Sequence, residues 1–475
     1  MPTSIPLCVD LDGALWQTDM LLESLLVLLK ESPLSIFRIP FWLVQGKAKL
    51  KLELANRVRL RVASLPLRAG LLEFLRKEHQ AGRRLILITG AGSQVGQAVA
   101  AQVGLFEEIV ACDGEVNLSG DHKTRILVDR FGKRGFDYAG SHDVDLDIWA
   151  EARKAVVANN SDDLARRVKA LCEVEIVFPR PAAGPKAWLQ ALRMQQWTKN
   201  LLVFVPLLGA HQWRNSSKLG AAFLAFLAFS ICASSFYLLD DLLDLEADRH
   251  HPTKRHRPFA SGRVPLLWGM IGGPCLLLAS ILVALSLSPA FRLAFVGYYL
   301  LTLLYALRFK QLEILGILTL AALYSIRLVA GGYEAQVAVS DWLLVFSNLV
   351  FLSLAFVKRF TELQLAPREK SDGLKERGYR VSDLALISAM GVASGYLAVL
   401  VLALYVTNPT VTQLYQNPAA LWFACPVLLY WISRVWLLAH RGLLYDDPIV
   451  FALKDKVSWF VGLIALVIGV IALPK

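Results

Sequence analysis

The sequence predicts two folds in one chain: a doubly wound α/β domain over residues 1–180, and an all-α polytopic membrane bundle of nine helices over residues 201–475. Three observations carry this reading. The 475 residues are 55% hydrophobic with a mean hydropathy of +0.47, too apolar for one soluble domain of that size. The excess is uneven, because residues 1–190 are rich in charge whereas apolar blocks of bilayer length dominate from about Leu201. Within the first half, short apolar runs ending in polar residues and glycine alternate with helical patterns.

Ile5 to Val9 leads into Asp10-Leu11-Asp12-Gly13, and Arg84 to Ile88 leads into Thr89-Gly90-Ala91-Gly92. Strands with such ends build sites at the carboxyl edge of an open α/β sheet. Glu108 to Ala111, Asp137 to Ala139, Ala155 to Ala158 and Val174 to Phe178 are the further candidate strands. Residues 18–66 read as helices lying between the first two strand ends, where they form a helical cap over the site. Two readings are open for Phe37 and Trp42, contact with a membrane beside Lys47 and Lys49 or an internal core. The N-terminus lacks a basic region followed by a long apolar run, so it is not expected to be a signal peptide. Six scattered cysteines without CxxC spacing argue for neither a metal cluster nor a disulfide framework.

Residues 181–200 are the expected linker and interfacial helix, since Phe178 to Lys186 holds three prolines and a glycine and Trp188 to Asn200 is amphipathic. Nine apolar spans follow, centred near Val205, Phe226, Leu278, Tyr299, Leu320, Val350, Ala398, Leu428 and Ile464. The loops after the even-numbered spans carry eighteen Lys and Arg, while the opposite loops and the tail carry only Arg214, Lys218, Arg292 and Lys475. That asymmetry places the N-terminal domain in the cytoplasm and the C-terminus outside. The net charge of +11 is therefore explained by loops facing anionic lipid and phosphorylated substrate, without nucleic acid.

The chain is organised around Tyr237 to Gly262, YLLDDLLDLEADRHHPTKRHRPFASG. Asp241, Asp244 and Asp248 recur at spacings of three and four, so a continuing helix projects them from one face. Like charges at that spacing repel unless a cation lies between them, and oxygen ligands suit magnesium bridging to substrate phosphates. Lys254 and Arg257 in the basic run that follows supply donors for a phosphate or diphosphate. The plainer alternative is that these charges cap a membrane helix in the interface. Arg327 lies inside an apolar span, where an unpaired guanidinium costs at least ~2.5 kcal/mol, so it should face the bundle interior.

The stretch Asp240 to Asp248 resembles the first aspartate-rich motif of the UbiA superfamily of intramembrane prenyltransferases, NDxxDxxxD, with Asp240 where Asn is usual. His251 to Pro258 more narrowly resembles the decaprenyl-phosphate phosphoribosyltransferase branch, as do KRFTEL from Lys358, RGYRVSD from Arg377, Arg327 in its LYxxR setting, and Lys199-Asn200. Asp446-Asp447-Pro448 and Asp455 are further matches to that branch. The DxxxD pair that prenyl-diphosphate users carry in the later loop is absent here. The resemblance implies a UbiA-like bundle and Mg2+ held by Asp240, Asp241, Asp244 and Asp248. It further implies transfer of 5-phosphoribose from phosphoribosyl pyrophosphate to a polyprenyl phosphate, with Lys199, Asn200, Lys254, Arg257, Arg327, Lys358, Arg359, Arg377 and Tyr379 binding substrate. An aromatic prenyltransferase using a prenyl diphosphate, or a non-catalytic carrier, are the alternatives.

Asp10-Leu11-Asp12-Gly13, Thr89, Lys123 and Gly140 to Asp145 together resemble the four motifs of the haloacid dehalogenase (HAD) phosphatases. This implies Asp10 as nucleophile, Asp12 as general acid and base, Thr89 on the phosphoryl oxygens, Lys123 neutralising charge, and magnesium on Asp10, Asp12 and Asp145. Ala14 and Ser141 depart from that pattern, Ser141 standing where an acidic ligand is usual, with Asp143 as its substitute. The fused domain would then remove the 5-phosphate from the lipid-linked product or, if degenerate, serve packing or regulation.

Overall fold

The computed structural model describes residues 5–58, 61, 65–112, 120–158, 162–179, 183–251, 253–365, 378–408, 415–444 and 447–472. The chain forms two compact units, Met1–Leu192 with Ser235–Pro274, and Arg193–Ser234 with Cys275–Lys475. The aspartate-rich loop thus belongs with the N-terminal domain.

All six expected strands form: β1 Leu7–Asp10, β2 Leu85–Gly92, β3 Glu108–Cys112, β4 Asp137–Gly140, β5 Lys154–Val157 and β6 Glu173–Val177. They make one parallel sheet in the order β3-β2-β1-β4-β5-β6. Strand β1 is buried along its whole length because it pairs on both sides and is covered on both faces. Its side chains alternate accordingly. Leu7 and Val9 pack with Leu71, Leu75 and Val99, while Cys8 packs with Leu127, Trp149 and Val168 on the opposite face. Strand order reverses between β1 and β4, and ligands of open α/β sheets bind outside the strand ends at such a point. Asp10 stands there.

Between β1 and β2 the cap consists of Met20–Glu31, the 3-10 turn Pro33–Phe37, Ile39–Val44 and Lys47–Arg57. Asp19 starts its first helix by accepting from Leu21 N and Leu22 N at 2.8 and 3.2 Å. Leu28, Trp42, Leu50, Leu54 and Val58 give the cap a core of its own. Trp42 takes the core reading and Phe37 does not, being 79% exposed.

Among the described residues seven helices are long and apolar enough to cross a membrane: Ser216–Leu243, Leu266–Leu285, Pro289–Leu307, Leu315–Ala335, Asp341–Gln364, Val381–Thr407 and Pro418–His440. Pro448–Lys454 and Lys456–Ala472, bent by 84°, make an eighth if the pair is one span. The expected ninth, centred near Val205, does not form as a long helix. Met194–Phe204 winds as a 3-10 segment and Val205–Gly209 is one short helix, with Pro206 at its start and Gly209 at its end. Gly331 explains how this segment packs, since a Cβ there would fall 2.1 Å from the Val203 carbonyl oxygen.

Candidate active site

The candidate side chains fall into three groups. At the sheet edge, Lys123 Nζ lies 2.6 Å from Asp10 Oδ1, both nearly buried. Thr89 is fully buried on the neighbouring strand β2. Residues Leu11–Leu15 form a single π turn, whose carbonyls at Gly13 and Ala14 accept from the buried Arg68 at 3.1 Å each. Arg68 had no motif to reveal it. Gly13 adopts φ +74°, and a Cβ would fall 2.4 Å from His142 Cε1, so this turn and the loop after β4 are closely packed.

Asp145 is held by hydrogen bonds from the loop after β4 and from Tyr138. Its Oδ2 accepts from Ser141 N and His142 N at 2.9 and 3.0 Å, and its Oδ1 accepts from Tyr138 Oη at 3.2 Å. Burial, with Asp10 and Asp145 nearby, pushes the Tyr138 phenol up, so it remains a donor. Asp143, the expected substitute for the missing acid, is exposed and pairs with Arg167 at 2.7 Å. The side chain of Asp12 lies outside the described residues. Among the described donors Asp10 is paired with Lys123, and Asp145 accepts three hydrogen bonds from its own loop and Tyr138.

The second group lies on the aspartate-rich loop. The span runs to Leu243, breaks at Asp244 and resumes as Leu245–His250. The break changes the expected single face. Asp241 and Asp248, both 2% exposed, converge on Arg257 Nη1 at 3.0 and 2.6 Å, whereas Asp244 turns to Lys30 of the cap at 3.7 Å. Asp240 lies about 100° further round the helix from Asp241. Lys254 sits in the next turn, where its charge is felt by Asp248. Burial pushes the Asp248 carboxyl above its usual range, with Arg257 and Lys254 acting in the opposite sense.

Sequence reading missed what holds this loop. Arg249 Nη2 and Nη1 donate to Glu23 Oε1 and Oε2 at 2.6 and 3.1 Å, and its Nε donates to the Ala260 carbonyl at 3.2 Å. Thr18 completes the arrangement by donating to Glu23 at 2.6 Å. Both ends of the loop are thereby tied to the first cap helix.

The third group lies within the helical bundle. Lys199 Nζ and Lys358 Nζ approach Asp447 Oδ2 at 2.7 and 3.4 Å. Burial pushes Asp447 up, but the two lysines and the Ile449 N–H more than offset it and hold the carboxyl well below the usual range. Lys199, Tyr324, Lys358 and Asp447 line a cavity of about 30 Å³, room for a water molecule and too small for a phosphate. Arg327 donates from Nε to Asn200 Oδ1 at 2.7 Å and from Nη2 to Tyr298 Oη at 3.1 Å, with its guanidinium over the Tyr298 and Tyr324 rings. Asn200 is fixed in turn by donating to Ser230 at 3.0 Å. These partners solvate the arginine without neutralising it.

Arg359 and Tyr379, also expected to bind substrate, lie together. Arg359 is 1% exposed, pairs with Glu362 at 2.6 Å and lies over the Tyr379 ring, whose hydroxyl accepts from Ile314 N at 2.6 Å. Both are built into the packing. Arg377 and Asp446 lie outside the described residues.

A family model described as UbiA prenyltransferase family matches residues 201–451, more than half of the chain. The chain belongs to the UbiA prenyltransferase family. It is an integral membrane protein of that family, with a parallel α/β domain ahead of the family region. The chain is 37% identical over 461 residues to "Uncharacterized protein y4nM" of Sinorhizobium fredii, a match covering 96% of this chain and 89% of that one. It is 35% identical over 291 residues to "Nodulation protein NoeC" of Azorhizobium caulinodans, covering 60% of this chain and 92% of that protein. It is 31% identical over 294 residues to the "Decaprenyl-phosphate phosphoribosyltransferase" of Mycolicibacterium smegmatis, covering 58% of this chain and 91% of that protein. This relative supports a transferase, and nine-tenths of its length is matched by little more than half of this chain.

Proposed function

We propose that this protein transfers 5-phosphoribose from phosphoribosyl pyrophosphate to a polyprenyl phosphate at the cytoplasmic side of the membrane. The observation that carries the reading is the convergence of two buried carboxylates, Asp241 and Asp248, on the single cation Arg257. A cation already stands at their meeting point, and magnesium typically takes one or two carboxylates and completes its shell with water and phosphate oxygens. The residues therefore fit the ion. Asp241 and Asp248 would hold it, and Asp244 would join on leaving Lys30. Among the described residues no group of three His, Cys, Asp or Glu is already assembled for a metal.

The chemistry needs no strong base, because the attacking oxygen of a polyprenyl phosphate is already an anion. That oxygen forms a bond to the anomeric carbon as the bond to pyrophosphate breaks, and pyrophosphate leaves with the electron pair. Bound magnesium supplies charge stabilisation for the leaving pyrophosphate. Arg257 and Lys254 would bind its oxygens, and in the other unit Arg327, Lys199 and Lys358 are proposed to attract an anionic substrate group once Asp447 yields to it. The missing later DxxxD pair and the Mycolicibacterium relative both favour this donor over a prenyl diphosphate.

A second activity is proposed for the sheet edge: removal of the 5-phosphate from the lipid-linked product. Asp10 would attack phosphorus and expel the ribose 5-oxygen, and water would then cleave the aspartyl phosphate. Its support is the buried Asp10–Lys123 pair at the point where strand order reverses.

Purified protein in detergent with magnesium, labelled phosphoribosyl pyrophosphate and polyprenyl phosphate tests both steps. Label should enter the lipid and not arise from a prenyl diphosphate with 4-hydroxybenzoate. Asp10→Asn should leave the 5-phosphate on the product. Transfer only from the prenyl diphosphate overturns the first proposal, and unchanged phosphate removal in Asp10→Asn overturns the second.

A further inference from the structure

The cap carries an apolar face that its own core leaves outside. In Pro33–Val44 the side chains of Leu34, Ile36, Phe37, Phe41, Leu43 and Val44 are 49% to 87% exposed, while Trp42 and Ser35 turn inward. A helix at a water surface shows the reverse pattern, with polar groups outward. A contiguous patch of this kind outside the spans marks a binding surface.

Two observations say what covers it. The first is charge: residues 30–53 carry Lys30, Arg38, Lys47, Lys49 and Lys51 against only Glu31 and Glu53, the latter paired with Lys49 at 3.0 Å. An apolar face in a segment of net positive charge matches the boundary between acyl chains and anionic headgroups. The second is position. Lys30, four residues before Leu34, lies 3.7 Å from Asp244, the residue that follows the membrane span Ser216–Leu243. The buried Glu23–Arg249 pair anchors the same cap helix to the same loop. The cap is thus tied to the point where the chain leaves the bilayer, and its apolar tip begins one helical turn further on.

We infer that residues 33–44 form an interfacial anchor: the tip of the cap lies in the lipid headgroup region, with Phe37, Phe41 and Val44 inserted among acyl chains. The occupant is the anionic bilayer that surrounds the bundle. The anchor keeps the cap at the lipid surface whatever the sheet edge does chemically, so it stands independently of the functions proposed above.

The test uses the full chain in nanodiscs of phosphatidylcholine and phosphatidylglycerol, with acyl chains either plain or brominated near the carbonyl. Phe37→Trp adds a reporter at a 79% exposed position, read as the increment over the twelve native tryptophans. That increment should fall by about twofold or more in brominated discs, as expected for a ring at the headgroup boundary. Val44→Trp, at an 87% exposed position, is the second reporter should Phe37→Trp fail to fold, and it should behave alike. Increments indifferent to bromination overturn the anchor, including the case in which two copies are found joined through this face.

Discussion

Arg257 occupies the place where Asp241 and Asp248 meet, and this one residue separates a metal-binding pair from a mere ion pair. Replacing it with Gln leaves two buried carboxylates facing each other, and repulsion makes the variant depend on an added cation. Magnesium should therefore raise the melting temperature of Arg257→Gln by more than it raises that of the parent. Equal shifts, measured by thermal unfolding in detergent, would count against the pair as ligands. Asp447 makes a different prediction. Its folded carboxyl titrates below the unfolded one, so its stabilisation is fully present above about pH 3.9 and is lost as pH falls through the folded value. Asp447→Asn should accordingly lower the melting temperature by the same amount from pH 8 to pH 5, with the difference shrinking only in more acidic solution. Such residues were legible from charge: Lys199, Arg327 and Asp447 stand out as ions in apolar sequence. Asn200 stood out beside Lys199 in the motif, whereas the partners Tyr298 and Tyr324 were harder to read, because tyrosine in a span is equally at home in packing.

The strands were legible because each is a short apolar run closed by polar residues or glycine, and all six form near their expected positions. The helix break at Asp244 was not. Leu243-Asp244-Leu245 contains neither glycine nor proline, and the break follows instead from tertiary ties on Asp244 and Arg249. The Glu23–Arg249 contact joins residues 226 positions apart, beyond any local pattern. Removing one partner of a buried ion pair strands the other charge, so Glu23→Gln should cost about 3 kcal/mol or more. Urea or thermal unfolding of the full chain would check it. The span expected near Val205 failed for another reason: hydropathy counts apolar residues but ignores Pro206 and Gly209, which confine regular helix there to five residues. The close approach of Val203 to Gly331 leads to a companion prediction. Gly331→Ala must push two backbones apart and should destabilise by about 1–3 kcal/mol, measured in the same way.

At the scale of the molecule, composition alone separated a charged α/β half from an apolar helical half, and the two-part layout recurs along nearly the full length of the Sinorhizobium relative. The Mycolicibacterium transferase is matched over nine-tenths of its length by 58% of this chain, so the α/β domain is an addition to a transferase-sized core. Its ties to the aspartate-rich loop give that addition a physical role: the loop that carries the proposed metal pair is held by the cap helix through Glu23 and Arg249. The measurement that bears most directly on the whole is the magnesium dependence of phosphoribosyl transfer in the parent and in Asp248→Asn. The variant should need about tenfold more magnesium for half-maximal rate and should lose rate at saturation, as expected when a protein ligand is removed. An unchanged magnesium midpoint with full activity would contradict the assignment of these carboxylates.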